Sequence, residues 1–163
     1  MQHQLPDPKL LSPSISQTFP GILNEVDEPL IQYFITYTWL SLADNDDMRQ
    51  MWRVTVLQLA HQHDYLMHAL LACAALHMAH LHPERRSKLV IQGRIHQDHA
   101  IPSFFAAVPS VDSETCDAVL VFVRLVGIVA FSLEESSFTN GGAEDKLPTW
   151  LFFIRSGCES AIP

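Results

Sequence analysis

The sequence predicts an all-α fold, an irregular helical bundle of about five to six helices. Three observations point there: apolar residues recur every three or four positions in successive segments, cap and proline signals divide those segments, and one stretch is apolar on every side. With 163 residues, 48% of them hydrophobic and 17% charged, the chain is large and apolar enough for one core. A domain of this size buries roughly 70% of the surface its unfolded chain exposes.

Residues 1–21 carry Pro6, Pro8, Pro13 and Pro20 among Ser, Gln and Lys with no sustained period, and are expected to be a disordered tail or linker. The folded domain is expected over residues 22–163. Val26, Leu30, Tyr33, Phe34, Tyr37 and Leu40 recur at helical spacing and define a first helix that stops at the acidic cluster 43–47. That cluster supplies a cap and first-turn carboxylates for a second helix, with Met48, Met51, Trp52, Thr55 and Leu59 on one face and an end near His61.

Residues 64–81 are apolar nearly all round. Ala69, Ala72, Cys73, Ala74 and Ala75 let neighbouring helices approach closely, so this is the expected central helix. Pro83 at a first helical position, followed by Glu84, opens a fourth helix carrying Leu89, Gly93, His96, Ala100 and Phe104, with a kink expected from Pro102 near Asp98. A fifth begins near Asp112 or Ser113. Its centre, 119–129, is rich in β-branched residues and is a strand on propensity alone, but its length and capped start favour helix. Residues 136–146, with Asn140-Gly141-Gly142, read as a polar loop, and Pro148-Thr149-Trp150 opens a last apolar segment.

Eighteen acidic against ten basic side chains give a net charge of -8, the wrong sign for gripping phosphates, so direct nucleic-acid binding by this chain is not expected. Cys73, Cys116 and Cys158 are odd in number and far apart, suggesting neither a disulfide framework nor a cysteine zinc site. No basic run precedes an apolar stretch at the start, so no secretory leader is expected. Residues 65–79 and 118–133 are about 15 or 16 long, short of the ~20 needed to span a bilayer, and are expected as buried helices without a membrane span.

Six of the nine histidines, His61, His63, His68, His77, His80 and His82, fall within 22 residues, which raises zinc as a hypothesis. His77 and His80 share a face, as do His96 and His99, with Asp98 nearby as a third ligand. Met78 stands where a metalloprotease helix needs Glu, and no ligand set is complete, so no metal and no cofactor is expected. His77 and His96 read instead as hydrogen-bonded core histidines. Ser156-Gly157-Cys158-Glu159-Ser160 lacks the strand and helix of a nucleophile elbow, and Asn140-Gly141-Gly142 is no phosphate loop. Cys73 reads as inert and Cys116, near a helix start, as mildly activated at most. Glu134-Glu135 and Asp44 to Asp47 read as solvated caps. No catalytic residue is assigned and the chain is not expected to be an enzyme.

The runs Met51-Trp52-Arg53-Val54-Thr55-Val56-Leu57-Gln58-Leu59-Ala60 and His63-Asp64-Tyr65-Leu66-Met67-His68-Ala69-Leu70-Leu71-Ala72-Cys73-Ala74-Ala75-Leu76-His77-Met78-Ala79 add a further signal. A Trp-Arg helix leads into an Ala/Leu-rich helix ending in Ala-Leu-His-x-Ala, and this resembles the regulatory domain of fungal zinc-cluster (Zn2Cys6) transcription factors of the sterol uptake control type. Leu147-Pro148-Thr149-Trp150-Leu151 and Ile154-Arg155-Ser156-Gly157 follow in the family's order, so the resemblance covers about residues 26–160. Trp52, Leu70, Leu76 and His77 match the family pattern, and packing accounts for them as well as function does.

The resemblance implies a helical regulatory domain, partial and incomplete at its C-terminus, of a nuclear protein whose DNA-binding cysteine cluster is missing from this sequence. Leu57 stands where the family often has proline, a change expected to alter how the second helix ends. The implied function is transcription regulation by a truncated region acting through protein partners, either the transcription machinery or a full-length relative. The alternative is binding of a sterol or other apolar ligand between helices three and five, without catalysis.

Overall fold

The computed structural model describes residues 24–107, 109, 113 and 115–138, with side chains through residue 133. Five helices carry this region, and the described residues contain no strand. α1 comprises Glu28–Tyr33, a π-helical turn Phe34–Thr38, and Trp39–Ser41. α2 has the same construction, with Asp46–Gln50, a π turn Met51–Thr55, and Val56–Gln62. α3 is Asp64–Leu81, α4 is Arg86–Ala107 and α5 is Cys116–Phe138. The expected tail, the loop beyond Phe138, and the segment opened by Pro148 lie outside the described residues.

The two π turns change which residues face inward. In α1 the Trp39 amide bonds five residues back to Phe34, and the Ile35 carbonyl accepts the Trp39 indole N–H at 2.6 Å. The inserted residue shifts the helical phase, as a π turn does. Leu30, Ile31, Phe34 and Thr38 are buried, whereas Val26, Tyr37 and Leu40, expected on the apolar face, are exposed. In α2 the Val56 amide likewise reaches Met51. Trp52, Val56 and Ala60 face inward at four-residue intervals, and Thr55, expected on that face, points to solvent. The expected cap is present: the Asn45 side chain accepts from the Met48 amide at 2.8 Å.

α2 runs through Leu57 and stops where His63 becomes extended, at φ -132° and ψ 107°. The His63 carbonyl then receives the first amides of α3, from Leu66 at 3.0 Å and Met67 at 3.1 Å. α3 is the central helix, as its composition demands. Everything from Tyr65 to Ala79 is buried except His68 and His77, which are half-buried. It lies along α4 and also meets α1, α2 and α5. The close approach to α4 rests on Gly93, where a Cβ would sit 3.1 Å from the Leu76 side chain and 3.5 Å from the Ala72 carbonyl.

Pro83 opens a short 3-10 turn, Pro83–Arg85, rather than α4 itself. α4 continues through Pro102 to Ala107. α5 is helical along its β-branched centre but starts at Cys116, later than Asp112 or Ser113, with the Thr115 carbonyl accepting the Val119 amide at 3.2 Å. It also takes in Ser136, Ser137 and Phe138, which read as loop from sequence. The length argument against a span fails for this helix. Its Cys116–Leu133 window, 18 residues of mean hydropathy 2.2, is long and apolar enough to cross a bilayer by length and composition, a test that core helices also pass.

Candidate functional site

The starts of α1 and α3 meet the middle of α4 at a buried polar chain. Asp27 precedes α1 in a turn set by Asn24, whose side chain accepts the amides of Val26 at 2.8 Å and Asp27 at 3.1 Å. Asp27 occupies the N-cap position of α1 but makes no side-chain cap bond there. Its carboxylate turns inward instead, 3.2 Å from His96 Nε2 of α4, with both side chains under one-tenth exposed. His96 Nδ1 in turn lies 3.1 Å from Nδ1 of His68 on α3. The His99 ring stacks on His68 with centroids 5.3 Å apart.

Chemistry orders the protons along this chain. A carboxylate only accepts, so His96 Nε2 carries a hydrogen and donates to Asp27; neutral His96 therefore accepts at Nδ1, and His68 donates from its own Nδ1. Burial pushes the His96 imidazole below its usual range, against the pull of Asp27, and the neighbouring His68 and His99 lower it further. Burial lowers His68 too, followed by the charge of His99, while Asp27 and Asp64 oppose it. The result is a relay of neutral rings on a buried carboxylate, binding three helices through groups far apart in sequence.

A second polar tie lies at the other end of α3. His77 Nδ1 is 3.0 Å from Thr38 Oγ1 in the π turn of α1, and the His77 ring meets Tyr33 edge-on at 5.5 Å. Burial, then the charge of His80, lowers His77 to about 4. Between α2 and α5 the Arg124 guanidinium lies 5.5 Å over the Trp52 ring. Both Trp52 Nε1 and Arg124 Nη2 are buried without an acceptor. At the meeting of α3, α4 and α5, Tyr65, Phe104 and Phe122 pack ring on ring, with centroids 4.4 to 5.5 Å apart.

His77 and His96 are thus hydrogen-bonded interior histidines, as their apolar faces suggest. The zinc pairings do not assemble: His96 turns to Asp27 and His68, Asp98 is exposed, and the described residues contain no group of three His, Cys, Asp or Glu arranged to hold a metal ion. No hydroxyl or thiol is hydrogen-bonded to the relay among the described residues. Cys73 is fully buried and its thiol pushed up to about 12, which removes it as a nucleophile at neutral pH. Cys116 is exposed at the start of α5, while Cys158 and the Ser156–Ser160 run lie outside the described residues. Trp52, Leu70 and Leu76, which match the resembled pattern, are core residues.

Sequence reading missed Asp27 and counted His68 only among the clustered histidines. Asp27 is 69 positions from His96, and only the fold brings the turn before α1 against α4. The one available signal was a histidine on each of two apolar faces.

The described residues form an all-helical body held by buried polar ties. Residues 29–140 match the fungal specific transcription factor domain. The chain belongs to that family. It is also 27% identical over 153 residues to sterol uptake control protein 2 of Candida albicans (strain SC5314 / ATCC MYA-2876), an alignment covering 89% of this chain. The chain spans about a fifth of that relative's length, 20%. No solved structure matches the chain.

Proposed function

We propose that this chain is a regulatory region of a fungal transcription factor that acts in the nucleus through contacts with other proteins, without catalysis. The observation that carries this reading is the family match over residues 29–140, which runs from the second residue of α1 past the end of α5. The net charge of -8 and the absence of a cysteine cluster from the sequence favour protein partners over DNA as what these residues touch. The buried relay supports a structural rather than catalytic use of its histidines, since it ends on a stacked imidazole.

The test is deletion of residues 29–140 at the native locus, with transcript profiling and imaging of a fluorescently tagged chain. A defined set of transcripts changing together with nuclear signal is the expected result. An unchanged transcriptome with cytoplasmic signal overturns the proposal.

The name of the Candida relative favours a second reading, in which the domain takes a sterol or similar apolar ligand. Tyr65, Phe104 and Phe122 occupy the meeting of α3 and α5, so a ligand there displaces rings. Mass spectrometry of lipid extracted from the purified chain decides it: a sterol at one per protein supports the reading, and its absence after sterol loading removes it.

A further inference from the structure

We propose that the outer face of α4 is an interface between two copies of this chain, paired antiparallel about a two-fold axis level with Gly93. Leu89, Gly93, His96 and Ala100 are buried, and they turn one side of α4 toward α3. The opposite side carries Lys88, Ile91, Ile95, Asp98, Pro102 and Phe105, all exposed. Their intervals alternate between three and four residues, the spacing with which one helix presents a seam to another. Ile91, Ile95 and Phe105 on this seam are 58%, 49% and 67% exposed.

The charges on the seam select a second copy as its occupant. Antiparallel pairing about Gly93 sets Ile91 of one copy level with Ile95 of the other, and Lys88 level with Asp98. The contact is isologous, so each pair occurs twice. Among the described residues neither Lys88 nor Asp98 has a charged partner within its own chain. Other registers lose the match: centring the axis at Ile91 sets Lys88 against Arg94, and centring it at Ile95 sets Ile91 against His99. The polar pair thus fixes the register, as polar residues within helix seams do, while the isoleucines supply the apolar contact. Phe105 then approaches the end of the other copy at which Leu81 is 55% exposed. The outer face of α5 also exposes Leu120, Val123 and Phe131, but no exposed charge lies among them, so nothing on that face selects a partner.

Sedimentation equilibrium of the full chain tests this, over about 1 to 100 µM, with far-UV circular dichroism confirming that each variant is folded. The expected result is a dimer with a Kd of about 10 µM, since a contact of one helix pair is small. Lys88→Glu and Asp98→Lys each set like charges against one another twice, and each raises the Kd about tenfold. The double variant Lys88→Glu/Asp98→Lys restores the pair with its signs exchanged and returns the Kd to within about threefold of the parent. Ile91→Glu abolishes the dimer over this range, whereas Leu120→Glu, on the apolar face of α5, leaves it unchanged. A parent chain that is monomeric at about 100 µM overturns the proposal. So does a dimer that survives Ile91→Glu, and so do charge reversals that the double variant does not rescue.

Discussion

Lowering the pH from 7 to 5 charges imidazoles of the unfolded chain before it charges His77 in the folded one. The folded ring sits at about 4, because burial first and the charge of His80 second disfavour its protonated form. An unfolded histidine titrates near ~6.5. Above that value both states are neutral at this position and His77 adds no pH dependence. As the pH falls below it, the unfolded state binds a proton that the folded state does not, so stability declines until the pH reaches the folded value. Linkage gives a loss of about 2 kcal/mol by pH 5 and about 3 kcal/mol by pH 4 from this one group. His68 and His96 are lowered as well and act in the same direction.

His77→Asn isolates the effect. An amide reaches the place of Nδ1, where it keeps a partner for Thr38 Oγ1, and it does not titrate. The variant loses the ring contact with Tyr33 and is less stable at pH 7, by about 1 to 2 kcal/mol. Its further loss from pH 7 to 5 is smaller than that of the parent by about 2 kcal/mol. Urea unfolding followed by far-UV circular dichroism at both pH values reads the difference. Parallel losses in parent and variant would refute the reasoning, because they would show that His77 does not hold a depressed value in the folded state.

Three further outcomes follow from the packing and the relay. Gly93→Val crowds Leu76, which is 6% exposed and cannot swing into solvent, and should cost about 1 to 3 kcal/mol in a thermal melt; a variant as stable as the parent contradicts the close approach of α3 and α4. Asp27→Asn keeps the shape of the acceptor and removes its charge from His96, for an expected loss of about 1 to 2 kcal/mol at pH 7 by urea unfolding; unchanged stability would show the relay to be idle. Arg124→Met keeps an apolar stem over Trp52 and removes a buried donor without an acceptor, so the melting temperature should hold or rise, and a fall worth more than about 2 kcal/mol contradicts this.

What the sequence disclosed and what it hid differ by the range of the interaction. α3 was legible because burial on all sides needs an apolar residue at nearly every position from Tyr65 to Ala79, and composition alone displays that. The cap at Asn45 and the break at His63 are local events and left local signs. The faces of α1 and α2 were misread, since a period of 3.6 assumes an unbroken helix and each contains a π turn that advances the phase. That is why Val56 replaced Thr55 inside, and why Tyr37 and Leu40 face water. The start of α5 was placed too early because Asp112 and Ser113 look like caps, whereas the amide of Val119 shows the first turn built on Thr115. The polar chain from Asp27 through His96 to His68 was beyond reach, because proximity between three helices follows from packing and leaves no spacing to recognise.

The proposed regulatory role is tested most directly by tethering. The chain is fused to an unrelated DNA-binding module and placed upstream of a reporter in a fungal host. Trp52→Ala serves as the control: that ring is 0% exposed, and its loss costs about 3 to 5 kcal/mol, enough to disrupt a marginal domain. The account predicts that the fusion changes reporter transcription relative to the DNA-binding module alone and that Trp52→Ala abolishes the change. A folded, promoter-bound fusion that leaves transcription at the level of the module alone would contradict it.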